Sequence, residues 1–247
     1  MGTERIETGD GERTLLTSTR SRAGKGFLFL RDVLVIILIA ILVAFLVKTF
    51  LVRSFFIPSG SMRQTLIEDD RILVDELTPR FGSYSRGDVV VFRDPGGWLN
   101  HSPQQGEPPL VRAVEWALSA VGLAAPDSDE HLIKRVIGIS GDHVVCCDDS
   151  GRITVNGVAI DEAPYVNQQT GSSAASETSF DVVVPADSLW VLGDNRGNSQ
   201  DSRFHTDQPG QGFVPVSNVV GRTFLITWPL SRVGLVDSHP EVFERVP

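Results

Sequence analysis

Three short segments of this 247-residue chain hold residue types that could do nucleophilic chemistry. Ile57-Pro58-Ser59-Gly60-Ser61-Met62 offers a serine hydroxyl. Leu132-Ile133-Lys134-Arg135-Val136-Ile137-Gly138 places a lysine in a run of strand-forming apolar residues. Lys134 is the only lysine after Lys48, in a region with many arginines. Arginine keeps its proton near neutral pH, whereas a buried lysine can lose it. A serine nucleophile needs a base, and Lys134 is the best candidate. The third segment, Gly193-Asp194-Asn195-Arg196-Gly197-Asn198-Ser199-Gln200-Asp201-Ser202-Arg203, reads by itself as a polar, turn-forming loop. A lone lysine is what an arginine-biased composition would leave by chance; its company with the other two segments turns the reading towards chemistry.

The chain carries 22 Lys and Arg against 31 Asp and Glu, a net charge of -9. With no basic stripe to offset that balance, nucleic acid is excluded as a partner. His101, His143, His205 and His239 have no metal-ligand spacing, so no metal and no cofactor are expected. The two cysteines, Cys146 and Cys147, are adjacent, which is neither a disulfide framework nor a zinc pattern. In a strand they would face opposite ways. Free thiols are the expectation, a vicinal bridge the alternative.

The elements that must position these residues begin with an anchor. Val33 to Val47 contains no polar residue, and Phe50-Leu51-Val52 extends the run past Lys48 and Thr49. About 20 such residues suffice to cross the hydrocarbon layer as a helix. The run is too long for the core of a cleaved signal peptide, and no Ala-x-Ala site follows it closely. Residues 1–31 are expected to form a disordered cytoplasmic tail, 32–52 a transmembrane anchor and 53–247 an extracytoplasmic domain. The basic residues Arg20, Arg22, Lys25 and Arg31 set that orientation.

The domain reads as mostly β, an antiparallel sheet with long loops behind one N-terminal transmembrane helix. Strand-like runs fall at 72–74, 88–92, 133–139, 143–147, 153–155, 158–160, 180–184, 189–192 and 219–228, separated by turn residues. Asn156-Gly157 is a strong hairpin signal. Residues 96–131 read as an insertion, with a Gly- and Pro-rich loop and then a possible short helix over 111–123. Residues 166–178 are loop by composition.

In this order, behind an N-terminal anchor, the three motifs resemble the bacterial type I signal peptidases, membrane-bound Ser-Lys endopeptidases of peptidase family S26. The resemblance covers nearly all of the chain after the anchor. It implies Ser61 as nucleophile and Lys134 as general base. It implies an oxyanion hole made by the Ser59 side chain and the Ser61 backbone N–H. Ser199 would orient the lysine amine, with Asp201 and Arg203 as a supporting ion pair, while Asp194 and Arg196 would be structural. The base must be a neutral amine, so Lys134 should lie in an apolar pocket with no carboxylate touching it. Gly197 departs from the family pattern, where aspartate is usual, and Gln64 stands where proline is often found. His131, three residues before Lys134, reads as a rim residue.

The resemblance further implies the substrate: signal peptides of exported preproteins, cut after Ala-x-Ala-like sites at the surface of a phospholipid membrane. An extended peptide would add beside strand edges, with Ile57, Pro58, Met62, Leu66, Leu132 and Ile133 around small pockets. The implied location is the bacterial cell membrane, single-pass, with the N-terminus cytoplasmic. A narrow-substrate Ser-Lys peptidase and a catalytically silent β module that binds export clients are the competing readings.

Overall fold

The computed structural model describes residues 22–77, 82–99, 131–166 and 175–247. The expected tail, the 111–123 helix and most of the 166–178 loop lie outside the described residues. The chain divides into two units, residues 1–45 and 46–247.

The first unit contains most of α1 (Arg22–Phe50). Its described side chains, from Leu28 to Ala44, are almost all apolar, and large ones from Leu28 to Val43 are exposed on every face. Among the described residues no helix is long and apolar enough to cross a membrane. The helix ends at Phe50, and Val52 already begins a strand.

The second unit is built of antiparallel strands. They are β1 (Val52–Phe56), β2 (Arg71–Asp75), β3 (Val89–Arg93), β4 (His131–Gly138), β5 (His143–Cys146), β6 (Ile153–Val155) and β7 (Val158–Ala159). After them come β8 (Phe180–Val183), β9 (Ser188–Leu192), β10 (Val214–Pro215), β11 (Val219–Trp228) and β12 (Gly234–Leu235). One sheet has the order β1-β2-β11-β3-β4-β9-β10, with β12 also paired to β11. A smaller sheet runs β7-β6-β5-β8. The Asn156-Gly157 turn joins β6 and β7 as expected, with φ of 52° and 79°, the left-handed pair that a tight hairpin needs.

The valine-rich centre of β3 is buried on both faces, which explains a continuous apolar run where a one-sided strand would alternate. One face meets a core of Phe55, Ile57, Met62, Leu66, Ile72, Val74 and Ile226. The other meets Tyr84, Trp98, Val136, Leu189 and Val191. The smaller sheet closes a third core around Ile137, Ile153, Phe180 and Trp190.

The free thiols expected at Cys146 and Cys147 are not present: the two are joined in a disulfide. β5 ends at Cys146, so Cys147 escapes the alternation that would send strand neighbours to opposite faces.

Candidate active site

β4 carries the lysine through the middle of the larger sheet. Strand alternation puts Leu132, Lys134 and Val136 on one face, Ile133 and Arg135 on the other. β3 pairs with β4 from His131 to Arg135, whereas β9 pairs only with Arg135 to Gly138. Among the described residues no strand pairs with His131–Lys134 on that second side. There the serine approaches, on a 3-10 turn of Gly60–Met62.

Lys134 Nζ is hydrogen-bonded to Ser61 Oγ at 2.9 Å and to the Ile133 carbonyl at 3.0 Å. The lysine is 3% exposed, and no salt bridge reaches it among the described residues. Burial lowers its pKa from 10.5 to about 8; Asp201 and Asp194 oppose the shift from a distance, and Arg203 adds to it. The arrangement is a hydroxyl against an amine that can shed its proton near neutral pH, the requirement for a serine nucleophile with a lysine base.

Ser59 is exposed, extended and placed before the turn, yet its side chain makes no capping bond. The ordinary task of a serine there is left undone. Ser199 is buried, and the Asp201 carboxylate is the group its hydroxyl bears on. It crowds Gly193, where a Cβ would collide with both Ser199 Oγ and the Ser61 carbonyl. Glycine is required at 193 by that close approach.

Asp201 and Arg203 form a buried pair at 2.7 Å. Asp201 also accepts the Gly193 N–H at 3.0 Å, and Arg203 donates to the Arg196 carbonyl and Ser176 Oγ. Burial pushes the Asp201 carboxyl up, but Arg203, the Gly193 amide and the Ser199 hydroxyl outweigh it and hold the pKa below its usual value. Asp194 and Arg196 are structural: Asp194 pairs with fully buried Arg135 at 2.8 Å, and Arg196 with Glu162 at 2.5 Å.

Of the expected pocket residues, Pro58 is exposed, Leu132 and Ile133 are half-buried, and Ile57, Met62 and Leu66 are buried in the core that Ile133 packs against, while Leu132 packs against the core on the other side. His131 is half-buried with its ring 5.2 Å from that of Phe55.

Sequence reasoning missed Thr65, whose Oγ1 donates to Asp194 at 2.5 Å and accepts from Arg135 at 3.1 Å. It also gave no task to Asn195, whose side chain donates to the Gly60 carbonyl. An arginine in an apolar strand demands a buried partner, and that signal points to Asp194; nothing comparable flags Thr65 or Asn195. Asp237, His239 and Glu241 bring possible metal-ligand atoms within 4.8 Å of one another, a grouping their sequence spacing did not announce. It includes neither Ser61 nor Lys134.

The family model described as "Signal peptidase, peptidase S26" matches residues 30–228. The chain belongs to this family and is a signal peptidase enzyme. It is 42% identical over 226 residues to Signal peptidase I of Mycobacterium tuberculosis (strain CDC 1551 / Oshkosh), covering 85% of this chain and 76% of the relative. It is 32% identical over 202 residues to Signal peptidase I of Leptolyngbya laminosa, covering 82% and 81%. A crystal structure of a signal peptidase I from Enterococcus faecalis V583 matches at TM-score 0.34 and 21% identity, over 57% of this chain and 96% of that one.

Proposed function

We propose that this signal peptidase is a membrane-bound serine endopeptidase that removes signal peptides from exported preproteins after Ala-x-Ala-like sites. The observation that carries the reading is the 2.9 Å hydrogen bond between the buried Lys134 amine and Ser61 Oγ. Ser61 attacks the scissile carbonyl while its proton passes to Lys134. The oxyanion accepts from the Ser61 N–H and the Ser59 hydroxyl, donors commonly worth several kcal/mol together. Lys134 then returns the proton to the leaving amine, and water hydrolyses the ester.

A neutral lysine has one lone pair and two N–H groups. The lone pair faces Ser61 and one N–H goes to the Ile133 carbonyl, leaving one for Ser199 Oγ, which can still accept. Asp201 and Arg203 hold the segment that carries Ser199. The peptide lies along the unpaired side of β4, between Pro58 and the Leu132–Ile133 rim, with Ile57, Met62 and Leu66 as pocket floor. The apolar run through α1 serves as the anchor, tail inside and catalytic unit outside.

The test is cleavage of an Ala-x-Ala preprotein in detergent by wild type and Ser61→Ala in parallel. A cut at the expected bond by wild type alone is the expected outcome. Equal cutting by both would remove Ser61 from the chemistry.

A further inference from the structure

We infer that Asn195 positions the nucleophile turn and thereby aims the Ser61 backbone N–H at the oxyanion, an inference that rests on the serine peptidase reading above. Asn195 is 3% exposed and holds the turn at two points. Its Nδ2 donates to the Gly60 carbonyl at 2.9 Å, and its backbone N–H donates to the Ser61 carbonyl at 3.0 Å.

A peptide unit is planar and trans, so its C=O and N–H point in opposite directions. The Gly60 carbonyl and the Ser61 N–H belong to one such unit. Fixing the carbonyl on Asn195 therefore turns the Ser61 N–H away from Asn195. The second bond fixes the next peptide plane in the same way. Without Asn195 the Gly60 carbonyl keeps, among the described residues, only the Arg63 N–H, at 3.2 Å, a single bond in a three-residue 3-10 turn.

The chemistry asks for asparagine in particular. The contact needs a neutral, short side chain with an N–H to give. An ionised aspartate has the same shape but only acceptors, and would set oxygen against oxygen. Asn195 is itself anchored: the Asn198 N–H donates to its carbonyl at 2.9 Å, and its neighbour Asp194 is locked to Arg135 and Thr65.

The experiment is steady-state cleavage of an Ala-x-Ala preprotein by the full chain in detergent, comparing wild type, Asn195→Asp, Asn195→Ala and Ser61→Ala. For both Asn195 variants kcat should fall about 10- to 100-fold with KM within about twofold, since the oxyanion exists only in the transition state. For Asn195→Asp the deficit relative to wild type should narrow as pH falls, because a protonated carboxyl regains an O–H for the Gly60 carbonyl. Asn195→Ala should show no such recovery. A purely structural asparagine would not give that pH signature. Wild-type kcat in either folded variant, a loss confined to KM, or a ratio flat with pH in Asn195→Asp would overturn the inference. So would failure of both variants to fold, which would make Asn195 a folding residue. If Ser61→Ala cleaves like wild type, the serine reading fails first; if Ser61→Ala is inactive and the Asn195 variants are not impaired, the positioning inference alone falls.

Discussion

With a pKa of about 8, Lys134 is still mostly protonated at pH 7, and only the neutral fraction can take the serine proton. The sign follows directly: kcat/KM should rise about tenfold per pH unit below the break and level off above about pH 8. Lys134→Arg should lose about 10²- to 10⁴-fold across the range and show no such limb. A kcat/KM profile against pH checks both, and an unchanged acidic limb in Lys134→Arg would remove it as base. The two departures from the family pattern also have physical readings at this scale. Gln64 has φ of 110°, a value the proline ring forbids, so the usual proline could not be placed on this backbone. A Cβ on Gly197 would meet nothing within 4 Å, so the position neither requires glycine nor excludes the usual aspartate.

The strands that carry period or length are legible in the amino-acid sequence. β2 to β9 and β11 fall within a few residues of their apolar runs. β1 is not legible, because Val52, Phe55 and Phe56 are as apolar as the helix before them and read as its continuation. β10 and β12 have two residues each, too few to show alternation. Ser61 and Lys134 can be found because chemistry restricts their residue types. Asn195 cannot, because its task is a hydrogen bond across 135 residues, which no local pattern encodes. The Arg135–Asp194 pair ties β4 to the segment after β9 with both side chains at 0% exposure. Asp194→Ala would strand a buried guanidinium and should destabilise the protein by about 3–5 kcal/mol in urea unfolding. Arg135→Met with Asp194→Leu should recover much of that loss. A change under about 1 kcal/mol in the single variant, on the order of an exposed pair, would show that the bridge does not lock the site.

At the scale of the whole molecule, the β unit exposes a second apolar feature besides α1. Trp228, Leu230, Val233 and Leu235 lie in one stretch at the end of β11 and into β12, with Leu230 at 77% and Leu235 at 80% exposure. Such a surface suits a lipid headgroup boundary. The unit freed of α1 should bind phospholipid vesicles in a flotation assay, and Leu230→Asp with Leu235→Asp should abolish it. No binding by the freed unit would show that these four side chains do not contact lipid. The Cys146–Cys147 bridge has a different whole-molecule consequence. It closes a ring between neighbouring residues, so it barely limits the reach of the unfolded chain and contributes little as a cross-link. What it does is withdraw the chain's whole supply of sulfhydryl groups. No cysteine is then left to supply the thiolate that would open a disulfide in another molecule.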